Sequence, residues 1–137
     1  MRGYQLVDGP AATDHQAENA FVSQGVVESN HAGYSGTGFV NYDNVTGSFV
    51  EWSVPASTAG QATLALRYAN GTALNRPMNI AVNGTVVSAG HAFNPTGGWA
   101  SWATTTLTVP LSAGTNTIRA TATTANGGPN VDKITLS

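Results

Sequence analysis

Aromatic side chains next to glycines are the first candidates for chemistry in this sequence of 137 residues. Trp99 and Trp102 follow the pair Gly97–Gly98, and Tyr34 follows Gly33. Glycine lets a ligand approach the backbone closely, and the apolar faces of sugar rings stack on tyrosine and tryptophan. The residues alone leave open, for each of the two tryptophans, whether it packs in the core or contacts a ligand.

Polar loop residues supply the hydrogen-bonding groups that such a ligand needs. Asn70 and Arg76 lie in the turn-rich segment 69–78, and Asn130 ends the segment 124–130. Loops on a rigid scaffold often carry binding function. Ordinary turn chemistry also explains most Asn-Gly steps without any ligand.

Three oxygen-bearing side chains form a candidate metal site. Gln16 and Glu18 are spaced to share one face of a strand, and Asp132 lies on the C-terminal strand, which could run beside it. Hard oxygen ligands suit Ca²⁺ when backbone carbonyls complete the shell. Spacing alone does not decide whether an ion binds.

Recognisable catalytic patterns are missing from the sequence. The seven carboxylates stand in no catalytic motif, the three histidines lack metal-ligand spacing, and no serine lies in a nucleophile elbow. The absence of cysteine excludes disulfides and thiolate sites. An enzyme is therefore disfavoured, although distant residues that converge in space escape sequence analysis.

Composition narrows the class of protein further. The net charge is −2, and the five Lys and Arg residues are scattered singly, which argues against a nucleic-acid partner. No apolar run approaches the roughly 20 residues of a membrane span. With 41% hydrophobic and 9% charged residues, the chain has the composition of one globular module, expected to be monomeric and exported from a bacterium.

Short β-rich segments separated by turns must position these residues. Strands are predicted at 49–54, 62–69, 79–82, 85–87, 104–111, 116–121 and 131–136, with further strands near 15–20, 26–28 and 38–42. Asn83-Gly84 predicts a hairpin with a type I′ turn, and Trp52 is predicted to lie in the core. The pattern predicts an all-β fold, a two-sheet β-sandwich of jelly-roll type over residues 14–137. Residues 1–13 are interpreted as an expression start and leader.

Six motifs, taken in order, resemble a carbohydrate-binding module of family 35, which is related to family 6. They are Gln16–Ala20, Gly33–Asn41, Val50–Trp52, Arg67–Gly71, Gly98–Trp102 and Pro129–Asp132. The resemblance implies a non-catalytic jelly roll appended to a secreted glycoside hydrolase or esterase. We therefore expect a catalytic domain in the same parent chain and a polysaccharide as ligand.

The resemblance also assigns expected roles to particular residues. It implies a structural Ca²⁺ held by Gln16, Glu18 and Asp132 together with carbonyls from residues 31–38. It implies a sugar site in the loops at one end of the sandwich. The residues that match this site are Tyr34, Trp99 or Trp102, and Asn130.

The Arg67–Thr72 run and the Asn75–Pro77 loop resemble family members that recognise uronic acids, glucuronic or unsaturated galacturonic acid, at glycan ends. A second Ca²⁺ at the sugar site is then expected, and Arg76 is the candidate partner for the sugar carboxylate. Residues that could help to hold this ion are Asn41, Asp43, Asn70 and Thr72. Two alternatives stay open: a module for neutral xylan, mannan or galactan, and a calcium-stabilised spacer without sugar affinity.

Overall fold

A computed structural model describes residues 12–137 as eleven β-strands and one short 3₁₀ turn. The strands are β1 (Thr13–Gln16), β2 (Phe21–Ser23), β3 (Gly25–Glu28), β4 (Phe39–Tyr42), β5 (Phe49–Ala56), β6 (Gly60–Ala69), β7 (Met78–Val82), β8 (Thr85–His91), β9 (Ala103–Leu111), β10 (Gly114–Ala122) and β11 (Asn130–Leu136). The 3₁₀ turn spans Ala17–Asn19. Within residues 12–137, no helix is long and apolar enough to cross a membrane. The predicted leader lies outside the described residues up to residue 11, and Thr13 already begins β1.

The strands form two antiparallel sheets that face each other as a sandwich. The six-stranded sheet has the order β3-β4-β11-β6-β9, with β1 paired to β11 as well. The five-stranded sheet has the order β2-β5-β10-β7-β8. This architecture confirms the predicted all-β, two-sheet sandwich.

The hydrophobic core lies between the sheets, because alternate side chains of each strand point inward. In β5, Val50, Trp52 and Val54 are buried, whereas Ser53 is exposed. Trp52 is 2% exposed, which confirms its predicted place in the core. Burial of such side chains, at about 25 cal/mol for each Å² of apolar surface, is the main force that holds the sheets together.

The β7–β8 hairpin closes as the sequence predicts. Asn83 and Gly84 have φ angles of 51° and 84°, the left-handed conformation that a type I′ turn requires at both central positions. The Asn83 Oδ1 accepts a hydrogen bond of 2.9 Å from the Thr117 backbone N–H, which ties the turn to β10.

The predicted strand near residues 15–20 is wrong in its second half. The strand ends at Gln16, and the chain then makes the 3₁₀ turn, with the Ala20 N–H donating to the Ala17 carbonyl at 3.1 Å. Ala17 is fully buried, so the chain turns to place this small side chain in the core. Gln16 and Glu18 therefore do not share a strand face. The short strand β2, which the sequence analysis did not predict, follows the turn.

His91 connects the edges of the two sheets. Its Nδ1 lies 3.1 Å from the Ser88 Oγ of β8, and its Nε2 lies 2.9 Å from the Thr105 Oγ1 of β9. Burial lowers the pKa of the imidazole below its ordinary value of 6.5. The unfolded chain therefore takes up a proton at a higher pH than the folded chain does.

We expect the contribution of His91 to stability to be complete above pH 6.5 and to decline as the pH falls below it, because protonation favours the unfolded state. Melting temperatures measured between pH 7.5 and 5 should fall less steeply for His91→Gln than for the wild type. Parallel profiles for wild type and His91→Gln would contradict the assignment.

Candidate functional site

The loops beyond one end of the six-stranded sheet enclose a cavity of about 270 Å³, here called the end cavity. Its lining residues are His31, Asn41, Asn44, Arg76, Trp99 and Asn130. Asn41 of β4 and Asn130 of β11 are register partners on adjacent strands, so the sheet itself places two amide groups side by side. The cavity thus combines an aromatic ring, three amides, an imidazole and a guanidinium.

A second cavity, of about 400 Å³, lies where β11 ends. Its lining includes Pro55, Leu111 and Leu136 and contains no aromatic or charged side chain. Although it is larger and has hydroxyl groups and one amide in its lining, it has neither an aromatic ring on which a sugar could stack nor a charged side chain. The end cavity is therefore the better candidate for a functional site.

Arg76 supplies the positive charge of the end cavity. Its Nη1 donates a hydrogen bond of 3.2 Å to the Gly128 carbonyl, and its guanidinium carbon lies 5.5 Å from the centre of the Trp99 ring. Burial lowers the pKa of Arg76 below its ordinary value, but an arginine side chain keeps its proton in proteins. The site therefore contains a partly desolvated cation.

Every other lysine and arginine side chain between residues 12 and 137 is paired with a carboxylate. The pairs are Arg67 with Asp132 at 2.8 Å, Arg119 with Glu51 at 3.2 Å, and Lys133 with Asp14 at 2.9 Å. Among the lysines and arginines of this described part of the chain, Arg76 alone has no acidic partner. It is the basic group that is available to an anionic ligand.

The two tryptophans of the Trp-x-x-Trp motif have different surroundings. Trp99 lines the end cavity, and its ring centre lies 6.4 Å from that of His31. Trp102 instead donates from Nε1 to the Ala32 carbonyl at 2.9 Å, and the Arg67 guanidinium lies 5.3 Å from its ring centre. Trp102 therefore holds the loop 29–38, whereas Trp99 faces the cavity.

Four other residues predicted for the sugar or second ion site do not line the end cavity. Tyr34 packs against Phe39, with ring centres 6.0 Å apart. Asn70 is fully buried, and its Oδ1 accepts hydrogen bonds from the backbone N–H and the hydroxyl of Thr72. Asp43 is exposed beside the lining residue Asn44. Asn41 is thus the one member of the predicted second ion set that lines the cavity.

Gln16, Glu18 and Asp132 converge on the loop 29–38 and are here called the oxygen cradle. The fully buried Asp132 accepts from the Ser35 backbone N–H at 2.8 Å and from the Ser35 Oγ at 2.9 Å. The Ser35 Oγ also lies 3.1 Å from the Gln16 Oε1, and the Glu18 Oε2 accepts from the Thr37 N–H at 2.9 Å. The structure therefore brings these three predicted residues together, although by a turn rather than by a shared strand face.

The cradle has the features of a site for a hard cation. The Glu18 Oε1 is buried without a hydrogen-bond partner, an arrangement that is costly for a carboxylate. A Cβ at Gly36 would collide with the Glu18 Oε2 and the Gln16 Oε1, so the loop backbone lies directly against both oxygens. Two carboxylates and an amide suit Ca²⁺. The amide is the third oxygen ligand here, since residues 12–137 contain no cluster of three His, Cys, Asp or Glu side chains.

Sequence reasoning did not select His31 and Asn44, which both line the end cavity. His31 lies in the loop 29–38, and Asn44 follows the end of β4 in a turn. Turn-rich composition was the signal available for both, and it also describes loops without function. Loop packing, which the sequence does not reveal, brings them to Trp99.

A β-sandwich with an aromatic and amide-lined cavity beyond one sheet end has the architecture of a carbohydrate-binding module, and comparison with known proteins agrees. The family model described as carbohydrate binding module (family 6) matches residues 16–137. A family 35 carbohydrate-binding module from Clostridium thermocellum superposes with a TM-score of 0.91 at 42% identity, over 93% of this chain and 98% of that one. The chain belongs to this group of carbohydrate-binding modules, families 6 and 35.

Two further relatives carry information about context. The exo-beta-D-glucosaminidase of Amycolatopsis orientalis is 60% identical over 129 residues, which make up 93% of this chain and 12% of that protein. A family 35 module solved with a glucuronic acid containing disaccharide has a TM-score of 0.82 at 35% identity, over 90% of this chain and 91% of that one. The chain spans 10% to 19% of the length of the curated enzymes it matches, so their catalytic activities belong to much longer proteins.

Replacement of Gly36 by alanine tests the close approach of the loop to the cradle. Gly36 has a φ of 64°, so alanine adds backbone strain as well as the collision with Glu18. Gly47→Ala is the matched control, since Gly47 has a φ of 93° but no atom within 4 Å of the added Cβ. We expect Gly36→Ala to lower the free energy of unfolding by about 1–3 kcal/mol more than Gly47→Ala in urea titrations. Equal losses would show that the cradle tolerates the added carbon.

Proposed function

We propose that this module recognises a uronic acid at the end of a glycan chain, in a calcium-dependent manner. We further propose that it is secreted as part of a larger glycoside hydrolase and holds a catalytic domain at cell-wall polysaccharide. The observation that carries the sugar assignment is the half-buried Arg76, which has no carboxylate partner among residues 12–137 and lies in a cavity otherwise lined by amides, an imidazole and an indole.

The charge of Arg76 favours an anionic ligand over a neutral one. A guanidinium forms strong, short hydrogen bonds with a carboxylate, often through two parallel N–H donors. Partial burial of Arg76 reduces solvent screening, which strengthens attraction to a bound anion. A neutral sugar would leave this charge without a partner. The protein as a whole has a net charge of −2, so attraction of an anion must come from a local cation.

The other lining residues suit a pyranose ring. The Trp99 indole offers an apolar face on which sugar C–H groups can stack. The amides of Asn44 and Asn130 can hydrogen-bond hydroxyl groups, and so can the Asn41 Oδ1, because its Nδ2 already donates to the Glu28 Oε1 at 2.9 Å. A cavity of about 270 Å³ has room for one or two sugar residues, which favours recognition of a chain end.

Calcium dependence is proposed from the oxygen cradle. Arg67 already offsets the charge of Asp132, whereas Glu18 has no basic partner among residues 12–137. Bound Ca²⁺ would offset the charge of Glu18 and give the Glu18 Oε1 the partner that it lacks. The cradle residues hold the loop 29–38, and this loop carries His31 to the end cavity. Disorder in the cradle should therefore weaken sugar binding even where no cradle atom touches the sugar.

The relatives support the wider context of the proposal. One family 35 module, 35% identical to this chain, was solved with a disaccharide that contains glucuronic acid. The relative from Amycolatopsis orientalis carries its matching segment within a much longer glucosaminidase. Both observations agree with a sugar-binding module that is linked to a catalytic domain.

Calorimetric titration of glucuronic acid, in calcium, tests the sugar assignment. We expect glucuronic acid to bind measurably more tightly than glucose, and Arg76→Met to lower its affinity by about tenfold or more, because a charged hydrogen bond is lost. Arg119→Met is the control, since Arg119 pairs with Glu51 outside the cavity, and its affinity should match the wild type. Equal binding of glucose and glucuronic acid would rule out the uronate assignment.

Chelation of calcium tests the cradle. We expect EDTA to lower both the melting temperature and the affinity for glucuronic acid, and added Ca²⁺ to restore both, because an ion that binds only the folded state stabilises it. Asp132→Asn should remove the response of the melting temperature to calcium, whereas Asp14→Asn, which alters an exposed ion pair, should retain it. A melting temperature that EDTA leaves unchanged would sink the calcium proposal.

A further inference from the structure

The turn 70–74 lies directly beneath the Trp99 ring and is held by one buried amide. The Asn70 Nδ2 donates to the Leu74 carbonyl at 2.8 Å and to the Phe93 carbonyl at 2.9 Å. The Asn70 Oδ1 accepts from the Thr72 Oγ1 at 2.7 Å. Because the amide is fully buried and its bonds run in several directions, the turn has little freedom to shift.

Gly71, the second residue of this turn, contacts Trp99 where a side chain would otherwise be. A Cβ at Gly71 would lie 2.5 Å from the Trp99 Cδ1 and 2.6 Å from both Cγ and Nε1. Nearly equal distances to three consecutive ring atoms place this Cβ over the face of the indole rather than at its edge. The ring therefore rests on the bare backbone of the turn, and its opposite face is the one that a ligand can contact.

Glycine is needed at position 71 because of the tryptophan and not because of the backbone. Gly71 is not among the glycines with positive φ, so alanine can adopt its conformation. The three atoms nearest to an added Cβ all belong to Trp99. Trp99 itself follows Gly97 and Gly98, and Gly97 has a φ of 94°. A collision would therefore displace the tryptophan, whose approach is glycine-rich, rather than the turn.

We propose that Gly71 is a positioning residue of the sugar site: its missing side chain sets the place of the Trp99 ring and so the floor of the end cavity. The effect on affinity rests on the proposed function, in which Trp99 contacts the sugar. The seating of the ring on Gly71 does not depend on that function and can be tested without any sugar.

The binding test compares alanine variants at two glycines near Trp99, Gly71 against its ring and Gly98 before it in the chain. We expect Gly71→Ala to remain folded, with an unchanged far-ultraviolet circular dichroism spectrum, and to bind glucuronic acid about tenfold or more weakly because ring stacking is misaligned. Gly98→Ala is the matched control, since Gly98 adjoins Trp99 but an added Cβ would meet only the Ser101 Oγ at 3.5 Å. Its affinity should equal that of the wild type. Unchanged affinity in Gly71→Ala would overturn the positioning role.

A double-mutant cycle of melting temperatures tests the contact between Gly71 and the Trp99 ring. Gly71→Ala should lower the melting temperature of the wild type, yet leave that of Trp99→Ala unchanged or slightly raised, because alanine restricts the unfolded chain once the ring is gone. An equal fall in melting temperature in the wild type and in Trp99→Ala would show that Gly71 does not act through the Trp99 ring. If Trp99→Ala binds glucuronic acid normally, the proposed sugar platform fails, while the thermal cycle still decides the role of Gly71.

Discussion

The buried carboxylate of Asp132 is the constraint on which the functional end of this molecule depends. It is fully buried, accepts hydrogen bonds from the Ser35 backbone and side chain, and pairs with Arg67. Removal of one partner from such a buried charge commonly costs about 3–5 kcal/mol, so each of these contacts contributes strongly to the position of the loop. Arg67 also donates to the Gly33 carbonyl at 2.8 Å. One charge on β11 thus fixes the loop that closes the end cavity.

The same loop explains why two tryptophans three residues apart have different roles. Trp102 lies on the side of the loop, where its N–H donates to the Ala32 carbonyl and the Arg67 guanidinium lies over its ring. Trp99 lies on the side of the turn 70–74 and rests on Gly71. One ring is therefore fixed by structural contacts and the other is left with a face toward the cavity. This arrangement joins the oxygen cradle, the loop and the floor of the end cavity in one connected unit.

Much of the fold could be predicted from local pattern. The long strands β5, β6, β9, β10 and β11 were recognisable because alternation is strong where one face is buried. The Asn83-Gly84 turn was recognisable because few dipeptides adopt two left-handed residues. The 3₁₀ turn after Gln16 and the strand β2 were not, since each spans three residues and depends on burial of Ala17. Segments this short contain too few residues to show a periodic pattern, so tertiary packing decides their conformation.

For the site, the sequence by itself determined the chemical types: an aromatic pair beside glycines, amides and an arginine in loops, and the oxygen-bearing side chains of Gln16, Glu18 and the distant Asp132. It also carried the resemblance that predicted the family. Only the tertiary structure decided which of these meet. It put Trp99, Arg76 and Asn130 in one cavity with the unpredicted His31 and Asn44, and it buried Asn70 inside a turn. The physical reason is that a loop residue is aimed by contacts with distant segments, and local periodicity holds no information about those contacts.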